Sequence, residues 1–402
     1  MTLRRASPIC FRPEVELLLC CARTAMTVDC AARLRALIRE DVDWAYLIET
    51  ARQHKMLLLL YWHLHATCKA EVPEAILVQL RDAFHTSTLR RLVLTGALLN
   101  ILRLFECHHI VAIPYKGPVL AASAYGDHAR LRQYRDLDLL VHQRDVLRAK
   151  DLLISQGSQS MMPLNGAKEV AYLHRKGAYT YNVRDRTSQA KVELHWHLTP
   201  AFPLDLTPLW ERLEPVSLDG ATVRGFSPEA SLLILCIHGS DHLWCRLQMI
   251  CDVATLLRVH QAIDWTWVMQ QAEVQGSMRM LLLGLYLARD LLGTTLPEAV
   301  VHKLESTPIV RSLAGQLRQR LFQETSGPPG VMLQFRMRER WRDKAWYGLY
   351  YVQFYLLTPH PEDRVLMPLP RLLFPLYYVL RPLRLVVGRY GLRRLQHLLG
   401  FS

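Results

Sequence analysis

From about residue 12 to residue 107, apolar positions recur every three or four residues, as in Val42-Asp-Trp-Ala-Tyr-Leu-Ile-Glu-Thr-Ala51, Met56-Leu-Leu-Leu-Leu-Tyr-Trp62 and Thr88 to Cys107. That spacing predicts a run of helices. The texture then changes. Ile110-Val-Ala-Ile-Pro-Tyr115 is a short β-rich run, and Pro118 to Tyr125 reads as a helix opened by proline in its first turn. Asp136 to Val141 reads as a strand, and Arg144 to Gln156 as a helix ended by Gly157. Ala178 to Val183 and Ala190 to Leu198 alternate like two antiparallel strands joined by the polar Arg184-Asp-Arg-Thr-Ser-Gln189. From Ser227 onward the period is helical again, with proline-rich breaks near 297, 308, 328 and 359 to 375. The expected organisation is an α+β chain. It has an N-terminal helical region (1–107), a β-containing core (108–225), a C-terminal helical domain (226–330) and a basic, aromatic-rich helical tail (331–402).

The two helical regions share a pattern. Asp43-Trp44 opens one helix, with Ala51 eight positions on and Pro73-Glu-Ala75 further down; Asp264-Trp265 opens another, with Ala272 at the same offset and Pro297-Glu-Ala299 further down. A duplicated unit flanking the β-containing insert accounts for this, and so do two unrelated amphipathic helices with aspartate N-caps.

Candidate chemistry gathers in the insert. Side chains alternate along a strand, so Asp136 and Asp138 point to one face and Leu137 and Leu139 to the other. Adjacent carboxylates repel, which leaves two readings: a solvated strand end, or a seat for a hard cation such as Mg2+. Along Lys191 to Leu198 the alternation puts Lys191, Glu193, His195 and His197 on one face, with Val192, Leu194, Trp196 and Leu198 on the other. Upstream, Lys116-Gly117 stands where a strand turns into a helix, and such a turn offers backbone N–H groups to phosphate. Arg132 and Arg135 add cations near the aspartates.

Strand, glycine turn, helix, Asp-x-Asp strand and a later strand with a further carboxylate: this order resembles the nucleotidyltransferase superfamily related to DNA polymerase β. More closely, it is similar to a family of uncharacterised bacterial nucleotidyltransferases. Lys116-Gly117, Arg132, Asp136-Leu-Asp138-Leu-Leu-Val141 and Glu193-Leu-His195-Trp196 carry the resemblance. Leu235-Cys-Ile-His238 through Arg246-Leu-Gln-Met-Ile-Cys-Asp252 adds to it, and it covers about residues 25 to 300. The sequence departs from the superfamily in carrying Pro118 where Ser usually follows the turn glycine, and in a longer gap from Gly117 to Asp136.

The resemblance implies a polymerase β-like core, a small mixed sheet with helices, flanked by helical regions. It also implies Mg2+ (or Mn2+) as cofactor and an NTP as substrate, with transfer of a nucleoside monophosphate to a small molecule, a protein or an RNA end by a two-metal mechanism. Asp136, Asp138 and Glu193 would be the catalytic and metal-binding residues, with Lys116, Gly117, Arg132 and His195 toward the nucleotide. The other class is a catalytically inactive relative serving as a binding module in a biosynthetic or regulatory complex. The three acids favour the enzyme and the missing Ser favours the module. On the enzyme reading Asp136→Asn and Asp138→Asn abolish activity and leave thermal stability equal or slightly higher by relieving repulsion, whereas a large loss of melting temperature in metal-free buffer would point to structural acids.

Other constellations stay open at this level. Glu193, His195 and His197 are a possible two-His, one-carboxylate set, although ligands on one strand rarely converge. His238, His242 and Cys245 share a helical face without matching a common zinc spacing. Nine scattered cysteines without C-x-x-C point to reduced thiols and a cytoplasmic setting. No uncharged apolar run reaches the roughly 18 residues of a membrane span. Net charge is +13, of which residues 331–402 supply +8, from twelve Arg and Lys against four Asp and Glu. Interleaved with Trp341, Trp346, Phe354, Tyr377 and Tyr378, this tail suits contact with an acidic partner or the inner membrane surface; packing back on the body is the alternative.

Overall fold

The computed structural model describes residues 11–161, 172–173, 177–185, 188–322, 330–353, 373, 376–378 and 380–381. The chain divides into two units, Met1–Thr199 with Leu204–Glu339, and Pro200–Pro203 with Arg340–Ser402. In the first unit, helices α1 (Pro13–Cys21), α2 (Val28–Ile38), α3 (Trp44–Gln53), α4 (Leu57–Thr67) and α5 (Glu74–Cys107) precede the sheet. Then come β1 (Ala112–Pro114), α6 (Gly117–Tyr125), β2 (Asp136–Val141), α7 (Val146–Ser155), β3 (Gln159–Ser160), β4 (Ala178–Asp185) and β5 (Ser188–His195). A short helix α8 (Thr207–Trp210) and a hairpin of β6 (Leu213–Leu218) and β7 (Ala221–Phe226) follow. The helices α9 (Pro228–Asp241), α10 (Leu247–Val259), α11 (Trp265–Gln275), α12 (Met278–Leu292), α13 (Glu298–Glu305), α14 (Pro308–Phe322) and α15 (Gly330–Met337) complete it.

The five-stranded sheet has the order β1-β2-β5-β4-β3, with β2 and β5 parallel and the other neighbours antiparallel. This is the small mixed sheet of an α+β fold. Register sets Asp136 beside Lys191, Asp138 beside Glu193 and Leu140 beside His195, so these six share a face. On the opposite face Leu137, Leu139, Val192 and Leu194 are buried in one apolar cluster with Leu98, Ile101 and Phe105 of α5 and Leu153 of α7. Burial of that face forces the polar residues onto the other, because a one-residue slip would exchange the two sets.

Most elements fall where the periodicity predicts them. Strand β5 stops at His195 rather than running to Leu198, yet Trp196 is still buried and its Nε1 donates to Leu173 O (3.1 Å). The hairpin β6–β7 goes unforeseen because Leu213-Glu-Pro-Val-Ser-Leu218 alternates poorly and contains a proline.

The two helical regions carry matched caps. Asp43 caps α3 by accepting from Tyr46 N (3.0 Å), and Asp264 caps α11 by accepting from Trp267 N (3.0 Å). Each cap is held by a glutamate at the start of an earlier helix: Glu14 accepts from Asp43 N (3.0 Å), and Glu229 from Asp264 N (3.1 Å). Pro13-Glu14 and Pro228-Glu229 are themselves matched helix starts. The two helical units thus share the same capping arrangement, as the duplicated-unit reading expects.

Helix α15 packs into the first unit. Leu333 and Met337 are buried, and Gln334 Nε2 donates to the carbonyls of Ser240 (2.8 Å) and Asp241 (2.7 Å). In the second unit, α16 (Trp341–Tyr351) leaves Trp341 and Trp346 exposed, and Trp346 Nε1 donates to Pro200 O (3.1 Å). The rest of the expected tail, Phe354 included, falls outside the described residues apart from 373, 376–378 and 380–381. Among the described residues no helix is long and apolar enough to cross a membrane.

Candidate active site

The site begins at the turn between β1 and α6. Tyr115 N donates to Asp138 O (3.3 Å), extending the pairing of the two strands. Gly117 then takes φ +58°, where an L side chain is strained, and a Cβ there would stand 3.1 Å from Asp136 O. Glycine is required because this turn lies directly against the start of β2. Lys116, extended just before it, brings Nζ to 3.4 Å from Asp138 Oδ1 and over the Tyr115 ring.

Asp138 is buried. Burial alone would raise its pKa, but Lys116, then His195 and His238, outweigh it and hold the carboxyl well below the usual carboxylate range. Glu193 is pushed down to about 2, chiefly by its contact with His195 and, against burial, by its ion pair with Lys191. Burial works against charging His195, yet the negative charge of Asp138 and Glu193 beside it raises its pKa overall. Its Nε2 lies 3.3 Å from Asp138 and 3.4 Å from Glu193, between the two carboxylates and without a well-directed hydrogen bond to either. The buried Tyr115 hydroxyl likewise has no partner, although Asp138, Glu193 and Asp136 all act on it electrostatically.

Ligand atoms of Asp138, Glu193 and His195 lie within 4.8 Å of one another. Two ionised carboxylates and an imidazole nitrogen left unsatisfied between them form a donor set that fits a divalent cation. Of the expected acids Asp136, Asp138 and Glu193, the structure brings Asp138 and Glu193 together, with His195 rather than Asp136 as the third residue. Asp136 lies on the same face at the start of β2, across from Lys191, and is not one of the three converging residues. His197 lies past the end of β5 and outside the cluster, so the set of Glu193, His195 and His197 does not form.

Arg132, expected toward the nucleotide, is paired with Asp252 in this structure. Its Nε and Nη2 donate to the two carboxylate oxygens of Asp252 (2.8 Å each), Nη1 reaches Gly117 O (3.5 Å), and Tyr125 OH donates to Asp252 Oδ1 (2.8 Å). The guanidinium is buried and its fork is taken, so in this arrangement Arg132 braces the glycine turn. From α9, His238 comes near Lys116 and Asp138, and its ring lies 4.4 Å from that of His242. Burial, then Lys116, keeps His238 neutral. Cys245 is exposed beyond the helix end and joins no metal-ligand group among the described residues. Asp252 and Tyr115 were missed as site residues. Asp252 lies in an apolar helix pattern and gives no sign of its partner, while Tyr115 adjoins the Lys-Gly motif and could have been read from it.

Residues 40–293, more than half of the chain, match the family described as uncharacterised nucleotidyltransferases. The chain belongs to this family. Among solved structures it is similar to an antigenic nucleotidyltransferase-like protein from Paracoccidioides brasiliensis, at 12% identity and a TM-score of 0.30, over 53% of this chain and 96% of that one. A search of curated proteins finds no match. The matched span takes in the glycine turn, β2, β5 and α9 to α11, and thus every nucleotidyltransferase motif residue described above.

Proposed function

We propose that this chain is a metal-dependent nucleotidyltransferase that moves a nucleoside monophosphate from an NTP to an acceptor hydroxyl. The observation that carries the reading is the convergence of Asp138, Glu193 and His195 on one point, with the His195 Nε2 and the Tyr115 hydroxyl unsatisfied beside it. Asp138, Glu193 and His195 would hold a divalent cation, Mg2+ or Mn2+, with Asp136 beside them. When bound, the cation would neutralise triphosphate charge and polarise the phosphoryl oxygens. A two-metal version needs Asp136 to turn toward the cluster.

The chain's own residues divide the remaining work. A carboxyl pushed to about 2 is a weak base at neutral pH, so Glu193 suits holding charge better than taking the acceptor's proton. Lys116 keeps Asp138 ionised. Tyr115 presents a buried hydroxyl that finds no partner among the described residues and could hold an oxygen of the bound nucleotide. The glycine turn, fixed by Arg132 and Asp252, keeps the start of α6 against β2.

One observation favours the second reading, a non-catalytic binding module: Pro118 stands where the superfamily places a phosphate-binding Ser. Incubation with each α-labelled NTP and Mg2+ or Mn2+, followed by a search for label in protein, RNA and small molecules, separates the two. Label transfer that disappears in Asp138→Asn supports the enzyme. NTP binding without pyrophosphate release under any metal supports the module.

A further inference from the structure

The duplicated helical unit contains one telling difference. Both α3 and α11 end in the same wrapped-back turn, with Met56 N donating to Ala51 O (2.7 Å) and Ser277 N to Ala272 O (2.8 Å). Each turn needs a residue of positive φ twelve positions after the capping aspartate. The second copy uses Gly276 (φ +72°), the residue that adopts this conformation at no steric cost. The first copy uses Lys55 (φ +56°). Lys55 therefore carries a backbone cost that glycine avoids in the second copy.

The turn is pinned to the site. His54 Nδ1 accepts from Leu247 N (3.1 Å) and His54 O from Gln248 N (3.3 Å), so the turn caps α10. From the same first turn of α10, Gln248 Nε2 donates to Gln133 O (3.0 Å), three residues before Asp136. Half-buried Lys55 is thereby held near the segment that delivers Asp136; burial lowers its pKa, and the charges of Asp136, Arg246, Arg132 and Asp252 act on it without a direct ion pair among the described residues. The cations expected to meet phosphate are engaged elsewhere, Lys116 with Asp138 and Arg132 with Asp252. Among the described residues, neither Lys55 nor Arg246 takes part in an ion pair. Arg246 is also the N-cap of α10, where the helix dipole disfavours a cation and favours an anion next to it.

We propose that Lys55, with Arg246 beside it, binds the triphosphate of the NTP, so that the N-terminal helical unit completes the nucleotide site. The assignment rests on the nucleotidyl-transfer reading above.

Lys55→Gly tests it, because the two roles move two readouts in opposite directions. Glycine relieves the backbone and should raise the melting temperature, while loss of the ammonium should weaken binding. With Mn2+ present, calorimetric affinity for inorganic tripolyphosphate and for each NTP should fall about ten- to a hundredfold, as expected for a lost charge-assisted hydrogen bond. Lys55→Arg should keep most of the affinity. His109, exposed at φ +55° after α5, is the control: His109→Gly should raise the melting temperature and leave binding unchanged. Wild-type affinity in Lys55→Gly would overturn the assignment and leave the nucleotide reading standing. A wild-type protein that binds neither tripolyphosphate nor any NTP would overturn both.

Discussion

Removing the carboxylate of Asp252 should cost this protein much of its stability. The Arg132–Asp252 pair is bidentate, at 2.8 Å on both arms, and the two side chains are 7% and 4% exposed. Asp252→Ala strands a buried guanidinium, at about 3–5 kcal/mol, and leaves the Tyr125 hydroxyl only the weak Cys251 Sγ acceptor (3.6 Å), at about 1 kcal/mol more. Together these approach the low end of the whole stability of an ordinary domain, about 5–15 kcal/mol. At roughly 2–4 °C per kcal/mol for a domain of this size, the melting temperature should fall by at least about 8 °C. Arg132→Met should cost somewhat less, because Tyr125 still donates to the abandoned carboxylate. The double variant Arg132→Met/Asp252→Leu removes both charges, so it should cost less than the two single changes added together, with a coupling of about 2–3 kcal/mol. Thermal and urea unfolding in metal-free buffer measures all four proteins, and NTP binding below the lowest midpoint measures function separately. If Arg132→Met melts within 2 °C of wild type, at the noise of about 1 kcal/mol, and abolishes NTP binding, the clamp is not structural and Arg132 belongs to the nucleotide after all.

Three further outcomes follow from the same geometry. Asp138→Asn should lower the melting temperature, on the order of 2 kcal/mol, because Lys116 and His195 lose an ionised acceptor; an unchanged or raised value would restore the simple repulsion expected from the sequence. The Asp138 carboxyl titrates below its free value in the fold, so its contribution is present above about pH 4 and lost as pH falls. Gly117→Ala forces a side chain into φ +58° and within 3.1 Å of Asp136 O, so it should cost about 1–2 kcal/mol and reduce metal affinity by displacing the start of β2; metal titration beside a melting curve checks both. Burial pushes His54 down to about 4 and it accepts from Leu247 N, so the unfolded chain takes up its proton first as pH falls from about 7 to 4. Stability should drop by about 3 kcal/mol across that window, and His54→Asn, which keeps an acceptor without the titration, should flatten the slope in urea unfolding.

Local rules made a good part of this protein readable from its residues. Period two put Asp136 with Asp138, and Glu193 with His195, on polar faces; Asp43 and Asp264 marked helix starts that cap as their residue type dictates; and Lys116-Gly117 stood where a strand turns into a helix. Each of these depends on neighbours within a few positions, which is why the sequence alone carried it. The composition of the site did not follow that way. Whether β5 lies parallel to β2, and at what offset, decides that Asp138 meets Glu193 and that His195 reaches between them while Asp136 faces Lys191. Arg132 was legible as a cation near the acids, but its partner lies 120 residues away on α10, and only the packing of that helix shows that the charge is already spent. Lys55 could be aligned with Gly276 by counting from the two aspartates, yet its importance comes from a backbone angle and a tie to α10. Side-chain period is a property of one strand or helix, whereas register, burial and charge pairing belong to contacts between distant segments, and these segments meet only when the apolar face of the sheet and the helices around it pack together.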